Sequence, residues 1–134
     1  MADESAPRGL TAEVARDWAA LGRPEPAGPP FRADVAGLPE PVRRWLLHAI
    51  ADGTPAVRGA ELRMHGEIRI GRWAPFTAVQ RLSVSGGFVW AATARPLGLP
   101  VLGFDRWTRG TGEMRWRLLG APSASRPSPP RPGA

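Results

Sequence analysis

The feature that most constrains this chain is a regular alternation of apolar and polar residues that begins after Pro55. Successive side chains of a strand point to opposite faces, so this alternation predicts a long strand with one buried face and one solvent-facing side, which is typical of an antiparallel sheet. The apolar positions are Ala60, Leu62, Met64, Ile68 and Ile70. We expect them to lie under a predicted helix at residues 40–51. The polar positions, which we expect to face away from it, include Arg63, His65 and Glu67.

Four shorter segments continue the alternation, at residues 76–82, 88–94, 101–107 and 113–119. The segments are separated by short turns rich in glycine, which accepts positive φ angles. Connections of this length join neighbouring strands, so the pattern predicts a meander of about five strands.

Two helices are predicted before the strands. Residues 10–21 and residues 40–51 carry apolar side chains at helical spacing, and a proline-rich linker at residues 23–30 separates them. In the second helix the spacing predicts a buried stripe made of Val42, Trp45, Leu46, Ala49 and Ile50.

The predicted fold class is therefore α+β, with N-terminal helices packed on a curved antiparallel β-meander. By analogy it is similar to part of a half-barrel of the kind that binds lipids or other apolar ligands. The expected division is a helix and linker at residues 1–30, with residues 1–9 frayed, and an α+β domain at residues 31–120. We expect residues 121–134 to be a disordered tail, because only Ala, Pro, Ser, Arg and Gly occur there.

Composition excludes several classes of protein. The 134 residues include no Cys, which excludes disulfides, thiolate chemistry and zinc sites built on sulfur. The longest uncharged apolar stretch, residues 82–94, is too short to span a bilayer, and the first residues do not form a signal peptide, so we expect a cytoplasmic protein. The net charge of +6 leaves nucleic-acid binding as an alternative, although all 18 basic residues are Arg and they are spread thinly.

His65 and Glu67 are the residues that raise the question of catalysis. They lie two apart on one strand and therefore share a face, where a histidine and a carboxylate can supply two metal ligands or a base with its orienting partner. A metal site needs a third ligand, for which Asp105 and Glu113 are the candidates by topology. The other interpretation is a ladder of charges that pair across strands. We predict no catalytic residue, no metal and no cofactor, and keep a hydrolase or metal-dependent enzyme on this face as an alternative.

The tryptophans carry more information than the charged residues. In a small domain they either fill a core or line a cavity between a helix and a curved sheet, where Gly66 and Gly103 would let strands bend. Gln80 is the one polar side chain in its apolar row, and it contacts either a ligand or neighbouring backbone. The candidate ligand-binding residues are Trp73, Gln80, Trp90, Trp107 and Trp116. The predicted function is a non-enzymatic module that holds an apolar small molecule or lipid between helix and sheet.

Several motifs resemble an uncharacterised bacterial family, a domain of unknown function. They stand at residues 38–46 (LPEPVRRWL), 73–80 (WAPFTAVQ), 87–92 (GFVWAA), 105–107 (DRW) and 110–114 (GTGEM), so the resemblance covers residues 31–120. The resemblance implies no activity and no catalytic residue. It implies longer members with further strands, so we expect this chain to be a truncated or frame-shifted copy. An open edge after the fifth strand would then favour self-association.

Overall fold

The structure is a computed structural model, and it describes residues 6–23, 28–32, 35–118 and 124–127. These residues form two compact units. The first combines the described residues up to Arg23 with those from Gly59 onward, and the second lies between them in the sequence. The division at residues 30 and 120 stays a prediction.

The first unit contains an antiparallel sheet. Within the described residues it has six strands in sequence order: β1 (Gly59–Ile70), β2 (Arg72–Ser83), β3 (Gly87–Ala94), β4 (Val101–Thr108), β5 (Thr111–Leu118) and β6 (Ala124–Pro127). A 3-10 turn at Pro96–Gly98 joins β3 to β4. The predicted α+β class with a meander sheet is confirmed.

Strand β6 corrects one prediction, because we expected no strand in residues 121–134. Ala124–Pro127 pair with β5 from Glu113 to Trp116. Proline is tolerated on an edge strand, where the outer side of the backbone needs no partner. The predicted open edge of β5 is therefore covered over these four pairs. The rest of the predicted disordered tail lies outside the described residues.

The strand register assigns side chains to two faces. One face carries a row formed by Glu61, Arg81, Val89, Arg106 and Glu113, and a second row formed by Arg63, Val79, Ala91, Phe104 and Arg115. We call this side the helix face. The opposite side carries Ala60, Leu62 and Met64 of β1 with Trp90 and Trp116, and we call it the aromatic face.

The first helix, α1 (Ala12–Leu21), packs on the helix face. Thr11 caps its N-terminus, and its hydroxyl accepts a hydrogen bond from the backbone N–H of Val14 at 3.3 Å. The core of this unit is a cluster of Val14, Trp18, Val89 and Phe104. The buried indole Nε1 of Trp18 has no hydrogen-bond partner within the described residues.

The predicted burial of the apolar residues of β1 is wrong, whereas the residues predicted to face away, Arg63, His65 and Glu67, are exposed as expected. The odd-numbered and even-numbered residues of β1 do lie on opposite faces, but α1 covers the face that we expected to be wet. On the other side none of Ala60, Leu62, Met64, Ile68 and Ile70 is buried, and Leu62 is 41% exposed. The reason lies in β3, which is apolar on both faces: Val89 and Ala91 are buried on the helix face, and Ala92 and Ala94 are buried on the aromatic face.

Arg81 reaches the core from the sheet. It is 6% exposed, stacks 4.5 Å over the ring of Trp18, and donates hydrogen bonds to Glu61 at 2.9 Å and to the Trp18 carbonyl at 3.2 Å. A buried guanidinium needs such partners to offset the loss of water.

Arg106 forms the second buried tie between sheet and helix. It donates to Asp17 at 2.5 Å, to Glu13 at 3.0 Å and to Glu113 at 3.1 Å. Burial opposes ionisation of Asp17, but hydrogen bonds from Thr108 and Arg106 outweigh it and hold the pKa of that carboxyl below its ordinary value. Burial likewise opposes the charge of Arg106, and its three carboxylate partners raise its pKa.

The second unit contains the second helix, α2 (Glu40–Ala49). Backbone hydrogen bonds tie Phe31 to Thr54 and to Gly53 at 2.8 and 2.9 Å. All of α2 is described and none of its residues is buried, with Trp45 66% exposed. The predicted stripe is therefore not buried, because a unit this small has too little chain to enclose a core. The predicted packing of α2 on the sheet stays a prediction.

Candidate functional site

The centre of the aromatic face is a row of four side chains that come from four strands. Phe76 and Trp90 have ring centroids 6.1 Å apart, and Trp90 meets Trp116 edge-on at 5.9 Å. The indole Nε1 of Trp90 donates to the sulfur of Met64 at 3.3 Å. Tilted and edge-on arrangements at these distances are favourable for aromatic pairs. We call Met64, Phe76, Trp90 and Trp116 the aromatic row.

Two glycines form the floor beneath this row. A Cβ atom on Gly103 would lie 2.3 Å from atoms of the Trp116 ring, so the indole rests directly on the backbone of β4. A Cβ atom on Gly66 would lie 3.3 Å from the Phe76 ring, which is a tighter contact than most. Both glycines therefore make room for rings, whereas the sequence suggested only that they let strands bend.

The aromatic row is half-buried, and its rim is more exposed. Trp107, Met114, Leu118 and Leu62 are 46%, 44%, 43% and 41% exposed. Large apolar side chains exposed together on one face are uncommon in proteins without a ligand or partner for that face. This side of the sheet therefore exposes an extended apolar surface.

Two polar side chains flank Trp90 on its neighbouring strands. Gln80 of β2 and Asp105 of β4 lie directly opposite Trp90 in the register. Both are half-buried, and neither side chain forms a hydrogen bond to another side chain in the described part of the protein. Partial burial raises the pKa of Asp105, and this effect outweighs a hydrogen bond from the backbone of Arg106. Gln80 and Asp105 therefore place one amide and one carboxyl group in the middle of an otherwise apolar face.

The structure brings four of the five predicted ligand residues together. Gln80, Trp90, Trp107 and Trp116 share the aromatic face. Trp73 lies opposite Arg69 on the helix face and is 66% exposed, so it does not belong to this group. None of the tryptophans that could have filled a core is fully buried: these are Trp45, Trp73, Trp90, Trp107 and Trp116. Trp18 of α1, which was not among them, is 4% exposed.

The candidate enzyme face does not assemble a metal site. His65 and Glu67 share a face, but Asp105 points to the other face of the sheet. Glu113 is four strands away from β1, which is about 19 Å at ordinary strand spacing, and it binds Arg106. The part of the chain that the structure describes contains no group of three His, Cys, Asp or Glu placed to hold a metal ion. The alternative charge ladder is present in part, since Glu61 pairs with Arg81 across β1 and β2.

A cleft of about 450 Å³ opens on the helix face, next to the region that α1 covers. Its polar lining comes from Arg8, Arg63, His65, Thr77 and Thr93, and we call it the basic cleft. Except for His65, sequence reasoning did not identify these residues as a site. The pairing of β1, β2 and β3 could have indicated part of this cleft, because it aligns His65, Thr77 and Thr93 side by side.

Comparison with known proteins identifies a family match. A sequence model of a family of unknown function (DUF6544) matches residues 30–128, which confirms the resemblance to such a family and extends past Gly120, where we ended it. No curated protein and no solved structure matches the chain. Among the described helices none is long and apolar enough to cross a membrane, and the cytoplasmic location stays a prediction.

Proposed function

The chain belongs to this family of unknown function, and we propose that it is a non-enzymatic module that binds an amphipathic small molecule on the aromatic face. The observation that carries the proposal is the aromatic row on its glycine floor, surrounded by exposed apolar side chains and interrupted by two polar groups.

The apolar body of the ligand would lie across the aromatic row. Trp90 and Trp116 meet edge-on, so their exposed surfaces form a stepped platform that suits a flat ring or an acyl chain. Removing about 200 Å² of apolar surface from water is worth about 5 kcal/mol before the costs of association. A gain of about 5 kcal/mol corresponds to a Kd of about 0.2 mM at best, so contacts of this size support binding of a small molecule in the submillimolar to millimolar range.

The polar end of the ligand would face Gln80 and Asp105. The amide of Gln80 both donates and accepts hydrogen bonds, whereas a carboxylate only accepts. A ligand hydroxyl or amide placed over Trp90 therefore finds complementary groups on both neighbouring strands. Satisfying half-buried polar groups favours such a ligand over a pure hydrocarbon.

This position differs from the one that the sequence suggested, between helix and sheet. Under α1 the space is filled, because Val14 and Val89 are 0% exposed and Phe104 is 1% exposed. The proposed ligand therefore occupies the face of the sheet that α1 leaves uncovered.

A displacement assay tests the proposal. A fluorescent fatty-acid analogue is titrated into the protein and then displaced with unlabelled amphiphiles. Trp90→Ala should weaken probe binding at least tenfold, because it removes the central ring of the platform. Trp73→Ala is the matched control, since it removes an exposed tryptophan from the opposite face, and it should leave binding unchanged. Equal loss in both variants, or no saturable binding by the folded protein, would refute the proposal.

A further inference from the structure

We propose that the basic cleft is a second binding site, which takes a small organic anion by its phosphate or carboxylate group. The cleft lies on the helix face, so this inference is independent of the proposed ligand of the aromatic face. It rests on the arrangement of hydrogen-bond donors around an apolar floor.

The donors stand in a row across three strands. His65 of β1 lies opposite Thr77 of β2, which lies opposite Thr93 of β3. Neighbouring strands are about 4.8 Å apart, which matches the spacing of groups that contact different oxygens of one anion. Two hydroxyls and an imidazole each present a donor to an anion in this position.

The walls of the cleft add positive charge from two sides. Arg63 stands on β1, and Arg8 belongs to the segment that leads into α1. Arg63 keeps its charge available, because its closest carboxylate oxygen, on Glu61, is 3.9 Å away and the other oxygen of Glu61 binds Arg81. Arginine is well suited to phosphate and carboxylate, since it donates two parallel hydrogen bonds.

The N-terminal segment is held in place beside the cleft. Gly9 has a φ of 95° and approaches β4 so closely that a Cβ atom would lie 2.9 Å from the Cβ of Leu102. Only glycine fits this conformation and contact without strain. The close approach places Pro7 and Arg8 in the lining of the cleft. Fraying was expected for residues 1–9, of which residues 1–5 lie outside the described residues.

The rest of the lining favours an anion that carries a small apolar body. Val79 and Ala91 contribute to the floor, and among the described residues that line the cleft none is acidic. A volume of about 450 Å³ is within the range of small-molecule sites. A cation would find no carboxylate among these lining residues, and a neutral ligand would gain nothing from the charges of Arg8 and Arg63.

The test uses three probes of similar shape: phenyl phosphate, benzoate and neutral benzyl alcohol. Binding to the full chain is followed by amide chemical shifts in NMR spectra at 0.1 M salt. We expect both anions to saturate shifts of Thr77 and Thr93 with Kd below about 1 mM, and benzyl alcohol to bind at least tenfold more weakly. The tighter of the two anions identifies whether phosphate or carboxylate is the preferred group.

Variants locate the binding site. Arg63→Ala should weaken anion binding about tenfold, and Thr93→Val, which keeps the side-chain shape, should weaken it about threefold. The matched control is Arg69→Ala, since Arg69 is exposed on the same face of β1, about 20 Å along the strand. Anion binding that is lost equally in Arg69→Ala would reflect general surface charge and overturn the proposal. The absence of saturable shifts in a folded protein would also overturn it.

Discussion

Replacing Asp17 with alanine tests how α1 is held on the sheet. Asp17 and Arg106 are 6% and 4% exposed, and they face each other across the interface between helix and β4. The variant removes hydrogen bonds from Arg106 at 2.5 Å and from Thr108 at 2.6 Å, together with an ion pair to Arg109 at 2.8 Å. Arg106 then remains buried with one of its carboxylate partners missing.

The expected cost follows from that uncompensated charge. Removing one partner of a buried ion pair typically lowers the free energy of unfolding by about 3–5 kcal/mol. Arg106 keeps its contacts with Glu13 and Glu113, so we expect the lower end, about 3 kcal/mol. A domain of this size is typically stable by about 5–15 kcal/mol, so the loss is large enough to measure without ambiguity.

The pH dependence supplies an independent check. Because the pKa of Asp17 is lower in the folded chain than its unfolded value of about 3.9, its stabilisation is fully present above that value. The stabilisation is lost as the pH falls through the lower, folded pKa. The difference between the original protein and Asp17→Ala should therefore be constant from pH 5 to pH 7 and shrink below about pH 4.

The assay is urea unfolding followed by far-ultraviolet circular dichroism at each pH. Arg63→Ala serves as the control, because its side chain is 71% exposed and its contact with Glu61 is long, so it should cost less than about 0.5 kcal/mol. A loss below about 1 kcal/mol for Asp17→Ala at pH 7, or a difference that grows as the pH falls, would refute the reasoning.

Two further predictions concern the aromatic face. Gly103→Ala should displace the Trp116 ring, lower the free energy of unfolding by about 1–3 kcal/mol and change the near-ultraviolet circular dichroism. Gly66→Ala, whose new methyl group meets Phe76 less closely, should cost less, and equal costs would contradict the floor described for Gly103. Because burial raises the folded pKa of Asp105, its favourable contribution is present below the unfolded pKa and is lost as the pH rises through the folded pKa. Asp105→Asn should therefore be more stable than the original protein at pH 7 and equal to it below about pH 4 in urea unfolding. If Asp105→Asn is less stable than the original protein at pH 7, favourable contacts of the Asp105 carboxylate outweigh the cost of its burial, which would contradict this prediction.

The strands were predictable because their signal is local. Alternation of apolar and polar residues predicts both that a strand is present and which side chains share a face. The predicted ends of β3 and β4 lie within one residue of the observed ends. β2 begins at Arg72, four residues earlier than predicted, because we expected a turn at Gly71 and Arg72 and counted the alternation only from Phe76. In the structure Pro75 lies opposite Glu67 and accepts a hydrogen bond from Arg95, so the hairpin continues past it.

The location of the core was not predictable from alternation. In β3, Val89 and Ala91 face α1 while Phe88 and Trp90 face the other side, so both faces are apolar. The decisive partners are remote in sequence, and a charged residue such as Arg106 looks exposed until the acidic residues of α1 are placed beside it.

The candidate sites, like the core, were predictable only where they depend on residues close together in the sequence. Four of the five predicted ligand residues share a face because the alternation placed them correctly, and Trp73 fell outside because it lies on an odd-numbered position of β2. The basic cleft was missed because one wall comes from Arg8, far from the strands in sequence. Local patterns do not show which distant segment crosses a sheet.

The order of synthesis has a consequence for α1, because this helix is made early and its binding partners are made late. Asp17 and Arg106 are 89 positions apart in the chain. At about 5–20 residues per second, the ribosome needs roughly 4–18 s to make the residues between them. Until β2, β3 and β4 have been made, Trp18 lacks Arg81, Val89 and Phe104 in turn, and the apolar side of the helix is accessible to chaperones and to other nascent chains. The rate of translation through β1, β2 and β3 therefore sets how long the newly made chain needs protection.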